Sequence, residues 1–172
     1  MPSMKILLIA GGWSSEREVS LTGARGMQEA LVRRGHAVTF FDLLEHFDDL
    51  LETARQHDFA LINLHGSPGE DGLVQAMLEK ADCPYQGSGP SGSFLALNKA
   101  AAKQIFRMAG LPTADWEFLP VRPAAGWEPR LPWPLFVKST TGGSSLRLGR
   151  AANRQELDAI MDEIFAAGEG VL

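Results

Sequence analysis

At 172 residues the chain is long enough for one large or two small domains, and a globular chain of this size buries ~70% of its unfolded surface, so a sizeable core is possible. Hydrophobic residues at 45% and charged residues at 22% exclude the disordered and fibrous classes. The net charge of −5 is spread without any basic tract able to neutralise a run of phosphates, which argues against nucleic acid as a partner.

The opening MPSMKILLIAGG has an apolar run far shorter than the ~20 residues that span a bilayer, and no small-residue cleavage site. The expected address is therefore the cytoplasm, with no membrane partner. Lys5 to Ala10 is a β-branched and leucine run ending at Gly11-Gly12, the pattern of a strand buried on both faces before a tight turn. Val19, Ala24, Met27 and Leu31 then fall at helical spacing, and Gly35 behind Arg33 and Arg34 is a C-terminal stop. Ala37 to Phe41 predicts a second strand, Phe47 to Ala54 an amphipathic helix, and Phe59 to Leu64 a third strand. This βαβαβ alternation predicts an α/β fold, a parallel sheet covered by helices on both sides.

HGSPGEDG follows the third strand, and a helix from about Gly72 to Lys80 has Leu73, Val74, Met77 and Leu78 on one face. Cys83, the lone cysteine, has no partner for an internal disulfide or a multi-cysteine metal site and is expected in the core. A short strand is expected around Tyr85, and GSGPSGS is expected to close the first unit near residue 95. Asn98 reads as the N-cap of a helix running through Ala109 to Gly110, with Leu111-Pro112 forbidding its continuation. The expected domains are 1–95 and 96–172.

In the second, Trp116 to Leu119 predicts a strand, and VRPAAGWEPRLPWP is too rich in proline and glycine for anything except a loop. Leu135 to Lys138 and Leu146 to Leu148 predict two antiparallel strands joined by a glycine and serine loop. Asn153 and Glu156 make a capping-box-like start to a helix with Leu157, Ile160, Met161 and Ile164 on its apolar face. Gly168 to Leu172 resembles the opening of a further strand, one expected to have little to pair with. There is no internal repeat and no low-complexity segment.

Ligands in open α/β sheets bind beyond the carboxyl ends of the parallel strands, and two polar loops sit there. In GGWSSEREVS, Gly11 and Gly12 let backbone approach a ligand and the helix N-terminus offers free amides. Glu16 at that N-terminus either caps the first turn or grips an ammonium group. GGWSSE lacks the GxGxxG of a dinucleotide-binding turn, although Asp42 after the second strand sits where a ribose-binding acid would; the missing glycines count against NAD and an oxidoreductase. In HGSPGEDG, His65, Glu70 and Asp71 either hold a turn and cap a helix or, gathered with three glycines, line a binding site. A third loop, KSTTGGSS, has glycines and hydroxyls beside Lys138, which suits phosphate oxygens, although the lysine precedes the glycines and so this is not a Walker A loop. Serine-glycine turns of this kind are also common in hairpins.

Taken in order, GGWSSEREVSLTG, HGSPGEDG, YQGSGPSGS, NKAAAK and VKSTTGGSS resemble the D-alanine:D-alanine ligase family of the ATP-grasp superfamily, from about residue 5 to the last residue. The resemblance implies a Rossmann-like parallel-sheet pre-ATP-grasp domain followed by the small α+β lobe of an ATP-grasp domain, truncated. It implies ATP-dependent ligation of two D-alanines through an acyl phosphate, in peptidoglycan precursor synthesis, chemistry that rests mostly on positioning and charge neutralisation. By the same resemblance Glu16 holds the ammonium of the first D-alanine, Val19 lies beside its methyl group and His65 near its carboxylate. Ser144 bonds Glu16, Ser145 covers the phosphates, Lys99 and Lys138 neutralise them, and Glu70 orients its loop. A homodimer is implied for the complete enzyme.

Ser139 stands where the family usually has proline, Arg147 where it usually has glycine, and Asn98 where aspartate is usual. The magnesium that the family uses has no ligands that can be placed in these 172 residues, so no metal site is expected here and the chain alone is expected to be inactive. Two alternatives stand beside this reading: a naturally truncated, non-catalytic small-molecule-binding module, and an ATP-grasp ligase with a different second substrate such as D-lactate.

Overall fold

The computed structural model describes residues 2–143 and 146–172. It divides into two compact units, one ending at Phe94 and the other beginning at Leu95.

The first unit is built on β1 (Lys5–Ala10), β2 (Ala37–Asp42) and β3 (Phe59–Ile62), a parallel sheet in the order β2-β1-β3. Leu7 of β1 sits opposite Thr39 and Ala60 on its two neighbours. As the central strand, β1 is buried from Ile6 to Ala10, which is why its sequence is apolar without alternation. Its side chains divide between two cores. Leu8 and Ala10 pack with Ala24 of α1 (Arg17–Arg33), whereas Leu7 and Ile9 join Leu43, Leu50, Val74 and Leu78 on the other face. The expected parallel sheet with helices on both faces is therefore present.

Helix α1 turns a different side to the sheet than its apolar spacing suggests. Val19 is 60% exposed and Met27 38%, while the buried positions are Ser20 and Ala24. Small residues line the contact because the helix lies close to the sheet: a Cβ on Gly23 would come 3.0 Å from the Asn63 amide. The helix expected over 47–54 instead starts at Leu43, because the Asp42 carboxylate accepts from Leu44 N–H and caps it. It runs as α2 (Leu43–His46), a single 3₁₀ turn over Phe47–Asp49, and α3 (Leu50–Ala54). The chain continues through α4 (Leu73–Lys80), buried Cys83, and Tyr85, which bridges Ala60 in parallel as expected of a short strand. The GSGPSGS segment, for which no helix was expected, runs into α5 (Pro90–Leu97), with proline at its first position, where its fixed φ suits a helix and its missing N–H is not needed.

The second unit opens with α6 (Lys99–Met108), whose Asn98 cap accepts from Ala101 N–H at 3.0 Å. Strand β4 (Leu135–Lys138) pairs antiparallel with β5 (Leu148–Ala151), Leu135 opposite Ala151. β5 begins two residues later than expected because Leu146 N–H bonds Gly143 C=O in a turn and Arg147 has φ +53°. Asn153 caps α7 (Arg154–Ala166) by accepting from Glu156 N–H, and Glu156 accepts in turn from Ala152 N–H. The stretch 116–119 contributes a bridge at Leu119 and no longer strand. The last residues are better partnered than expected: Val171 exchanges 2.9 Å bonds with Leu119, Leu172 exchanges bonds with Lys138, and Gly170 C=O accepts from Thr140 N–H. Val171 thereby joins a core of Val137, Ala151, Leu157, Met161 and Ile164. No helix among the described residues is long and apolar enough to cross a membrane.

Candidate functional site

In the first unit β1 and β3 are parallel neighbours, so the loops that follow them leave the same end of the sheet. Gly11 and Gly12 have φ +78° and +75°, the left-handed region that favours glycine. Gly11 is also fixed by what faces it: a Cβ there would lie 2.4 Å from Arg17 Nη1 and 2.6 Å from Asp42 Oδ1. Arg17 donates from Nη1 and Nη2 to Asp42 Oδ1 and Oδ2, each at 2.7 Å, and from Nη1 to Gly12 C=O at 3.3 Å. The hydrogen-bonded guanidinium holds the Asp42 carboxyl below its ordinary range, and the carboxylate raises Arg17. Asp42, positioned in sequence like a ribose-binding acid, is instead committed to Arg17 and to the start of α2. Sequence reasoning passed over Arg17; the signal was an arginine directly behind Glu16 at a helix start, where an acid is the usual choice.

Ser20, buried one turn into α1, ties the two loops together. Its Oγ accepts from Gly11 N–H at 2.8 Å and donates to Asn63 C=O, while Asn63 Nδ2 donates to Ser20 C=O at 2.7 Å. On this frame sit the residues implied by the resemblance. Glu16 is half-buried at the N-cap of α1, its N–H donating to Ser14 Oγ and its C=O accepting from Ser20 N–H. Val19 is exposed one turn on, and His65 is half-buried just beyond β3.

The HGSPGEDG loop is shaped by its own packing as much as by any ligand. Asp71 accepts from Ser67 Oγ and from the N–H of Leu73, the first residue of α4, while Glu70 is exposed and its N–H bonds Gly66 C=O. A Cβ on Gly69 would stand 2.2 Å from Leu64 Cβ, so this glycine is required by backbone packing.

In the second unit, Lys99 and Lys138 converge. Burial, then the Lys138 charge, lowers the Lys99 ammonium below its ordinary range, with Glu169 opposing. Lys99 Nζ donates to the carbonyls of Thr140 and Gly142, so it grips the start of the KSTTGGSS loop. Ser139 Oγ accepts from Gly142 N–H at 2.8 Å and donates to Glu169, which also accepts from Arg147 at 2.8 Å. Ser144 and Ser145 lie outside the described residues.

Beside Lys138 a cavity of about 380 Å³ is lined by Lys103, Trp116, Leu131, Phe136 and Leu172 among others. Phe136 precedes Lys138 by two positions on β4, which puts both on one face, and it is 69% exposed. Sequence reasoning placed Phe136 in an antiparallel strand and gave it no role; the structure alternates it with buried Val137. Among the described residues no group of three or more His, Cys, Asp or Glu side chains is placed to hold a metal ion.

No protein-family model matches the chain. It is 76% identical over 169 residues to the D-alanine–D-alanine ligase of Desulfovibrio desulfuricans, covering 98% of this chain and 55% of that protein. It is 54% identical to the ligase of Lawsonia intracellularis, with 98% and 56% covered. The chain belongs to the D-alanine–D-alanine ligase family. Among solved structures it is similar to the D-alanine–D-alanine ligase of Bacillus anthracis complexed with ATP, with TM-score 0.86, 34% identity, and 98% and 57% of the two chains covered. The chain thus spans about half the length of the ligases it matches, consistent with their N-terminal portion, and the α/β architecture of this front part is theirs.

Proposed function

We propose that this chain carries the first-substrate and phosphate-loop part of a cytoplasmic enzyme that joins two D-alanines with ATP, through an acyl phosphate, for peptidoglycan precursors. Residues 1–95 serve as the pre-ATP-grasp domain and 96–172 as the small ATP-grasp lobe. Glu16 receives the ammonium of the first D-alanine, Val19 contacts its methyl group and His65 faces its carboxylate, with Glu70 in the supporting loop. Lys99 and Lys138 neutralise ATP phosphate oxygens, and Ser144 and Ser145 complete the loop. Phe136, exposed two residues before Lys138, offers an apolar face for the nucleotide base.

The convergence of Lys99 and Lys138 beside a loop of glycines and hydroxyls supports this reading most directly. The Lys99 ammonium, disfavoured by burial and by the Lys138 charge, is stabilised by a polyanion, and a phosphate contact there gains where water is partly excluded. The described residues gather no set of carboxylates fit for the magnesium the family uses, so no step is assigned to that ion here. A phosphoryl transfer without its metal loses the main charge stabiliser of its transition state. The isolated 172-residue chain therefore binds without turning over.

The test is ATP titration and a coupled ADP-release assay on this chain. Weaker ATP binding in Lys99→Met and Lys138→Met, with no D-alanine-dependent ADP release, is expected. Unchanged ATP affinity in both variants refutes the phosphate reading, and D-alanine-dependent ADP release refutes the inactivity of the isolated chain.

A further inference from the structure

Gln75, the third residue of α4, is a polar side chain buried to 6% exposure. Its Nε2 donates to Gly69 C=O at 2.6 Å. That carbonyl can only accept, so the amide must turn its nitrogen toward it, and Oε1 is left buried with no hydrogen-bond partner among the described residues. An orphaned acceptor lowers stability in a way that an apolar side chain of similar size would not. Local conflicts of this kind are characteristic of functional positions, and here the half of the amide that is used holds the HGSPGEDG loop.

That loop packs against the turn that carries Glu16. A Cβ on Gly12 would lie 3.2 Å from Leu64 Cδ2 and 3.6 Å from Pro68 Cδ, and one on Gly66 would lie 3.5 Å from Ser14 Cβ. Ser14 Oγ in turn accepts from Glu16 N–H at 3.2 Å. Gly69, the residue that Gln75 grips, sits directly on Leu64, the neighbour of His65. The other backbone bond from α4 to this stretch, Val74 N–H to Pro68 C=O, is long at 3.4 Å. Without the Gln75 amide the buried Gly69 carbonyl loses this partner and regains one only where water reaches it, which requires the loop to move.

We propose that Gln75 is a positioning residue whose amide fixes the 64–69 segment through Gly69, and that this sets the place of His65 and the affinity for the first D-alanine. The second half of the proposal rests on the first-substrate reading given above; the first half does not.

The experiment is amide hydrogen exchange at Glu70 and Ala81 in the 172-residue chain, together with D-alanine and ATP titrations, in the wild type, Gln75→Met and Gln75→Glu. Glu70 N–H bonds Gly66 C=O within the loop, whereas Ala81 N–H bonds the Met77 and Leu78 carbonyls at the far end of α4. Gln75→Met keeps the bulk and removes the donor. It is expected to speed exchange at Glu70 about five- to tenfold, the factor that goes with losing one modest hydrogen bond, while Ala81 keeps its rate. D-alanine should bind about fivefold more weakly and ATP as before. Gln75→Glu can donate to Gly69 only when its carboxyl is protonated, and burial and that bond raise the carboxyl above the ordinary ~4.3 of glutamate. Compared with the wild type at each pH, this variant should therefore match it in acid and exchange faster at Glu70 as pH rises through the raised value. It carries the test if Gln75→Met does not fold. Unchanged exchange at Glu70 in both variants, or equal acceleration at Glu70 and Ala81, overturns the positioning. Local acceleration with D-alanine affinity unchanged, or lost in step with ATP, overturns the link to substrate. A wild-type chain that ignores D-alanine refutes the first-substrate reading and that link together, while local acceleration at Glu70 still upholds the positioning.

Discussion

Arg17 and Asp42 face each other through two parallel hydrogen bonds of 2.7 Å, one residue at the start of α1 and the other at the end of β2. The guanidinium keeps the Asp42 carboxyl charged to lower pH than its ordinary 3.8. A depressed carboxyl contributes stability above its unfolded value and loses it as pH falls through the folded one. The first unit is therefore expected to weaken as pH drops below 3.8. Asp42→Asn should be less stable at neutral pH and lose less on acidification. Urea unfolding midpoints followed from pH 6 down to about pH 2, across the range where such carboxylates take up their protons, check this.

Gly11→Ala tests whether this pair dictates the glycine. The added methyl meets Arg17 Nη1 and Asp42 Oδ1 inside contact distance, and alanine is also unsuited to φ +78°. A loss of about 2–4 kcal/mol is expected, the sum of a left-handed penalty and modest overpacking. In the Asp42→Asn background the two losses should fall short of additive, because the sites touch.

Gly69→Ala should cost about 1–3 kcal/mol by overpacking, since its Cβ would meet the side chain of Leu64 and the backbone there. Gly26→Ala, where nothing lies within 4 Å of the new Cβ, should instead stabilise α1 by about 0.5–1 kcal/mol. Thermal unfolding of the two variants side by side gives opposite signs if the loop glycine serves packing.

Asn98→Ala removes the acceptor for Ala101 N–H and should destabilise the second unit by about 1 kcal/mol. Asn98→Asp keeps the acceptor and adds a charge favoured at a helix N-terminus, so it should be neutral or stabilising by about 0.3–1 kcal/mol. Chemical denaturation distinguishes these; an equal loss in both variants would remove the cap from the account.

The Lys99 ammonium is lowered from 10.5 by burial and by Lys138, and held up by Glu169. Because the folded value is depressed, unfolded chains bind the proton more tightly, and this group's contribution to stability grows as pH rises through the folded value toward 10.5. Lys138→Met should move the Lys99 titration upward and Glu169→Gln should move it further down. NMR titration of the ¹³C-labelled lysine side chains reads both directions.

The parallel sheet was legible because β1 is apolar at every position after Lys5, a signature that burial on both faces leaves in sequence. The caps at Asn98 and Asn153 were legible because each is a local hydrogen bond between residues three apart. What sequence concealed is nonlocal. The buried side of α1 is chosen by how closely the helix approaches Asn63, so Ser20 turns inward while Val19 stays out. Glu169 lies 30 residues beyond Ser139 in sequence, and no local pattern announces a contact at that distance. Helix α5 was hidden by serines and glycines that usually mark loops, although proline at its first position was a usable sign. Glu16, His65, Lys99 and Lys138 are assigned through the ordered motifs alone; Arg17 and Phe136 lie within or beside those motifs, and only the structure shows the Arg17–Asp42 pair and the exposure of Phe136.

Because Val171 bridges both Leu119 and Ser139, the second unit cannot complete these bridges or its core until the chain has been made as far as residue 171. The first unit has its three-stranded sheet by Ile62 and its last residue at Phe94. Translation at about 5–20 residues per second therefore leaves an interval of several seconds in which one half can assemble while the other exposes Val137, Leu157 and Met161. During that interval a folded first unit and an adhesive, unfinished second one coexist on the same nascent chain, and the order in which the ribosome delivers them sets the route to the folded state.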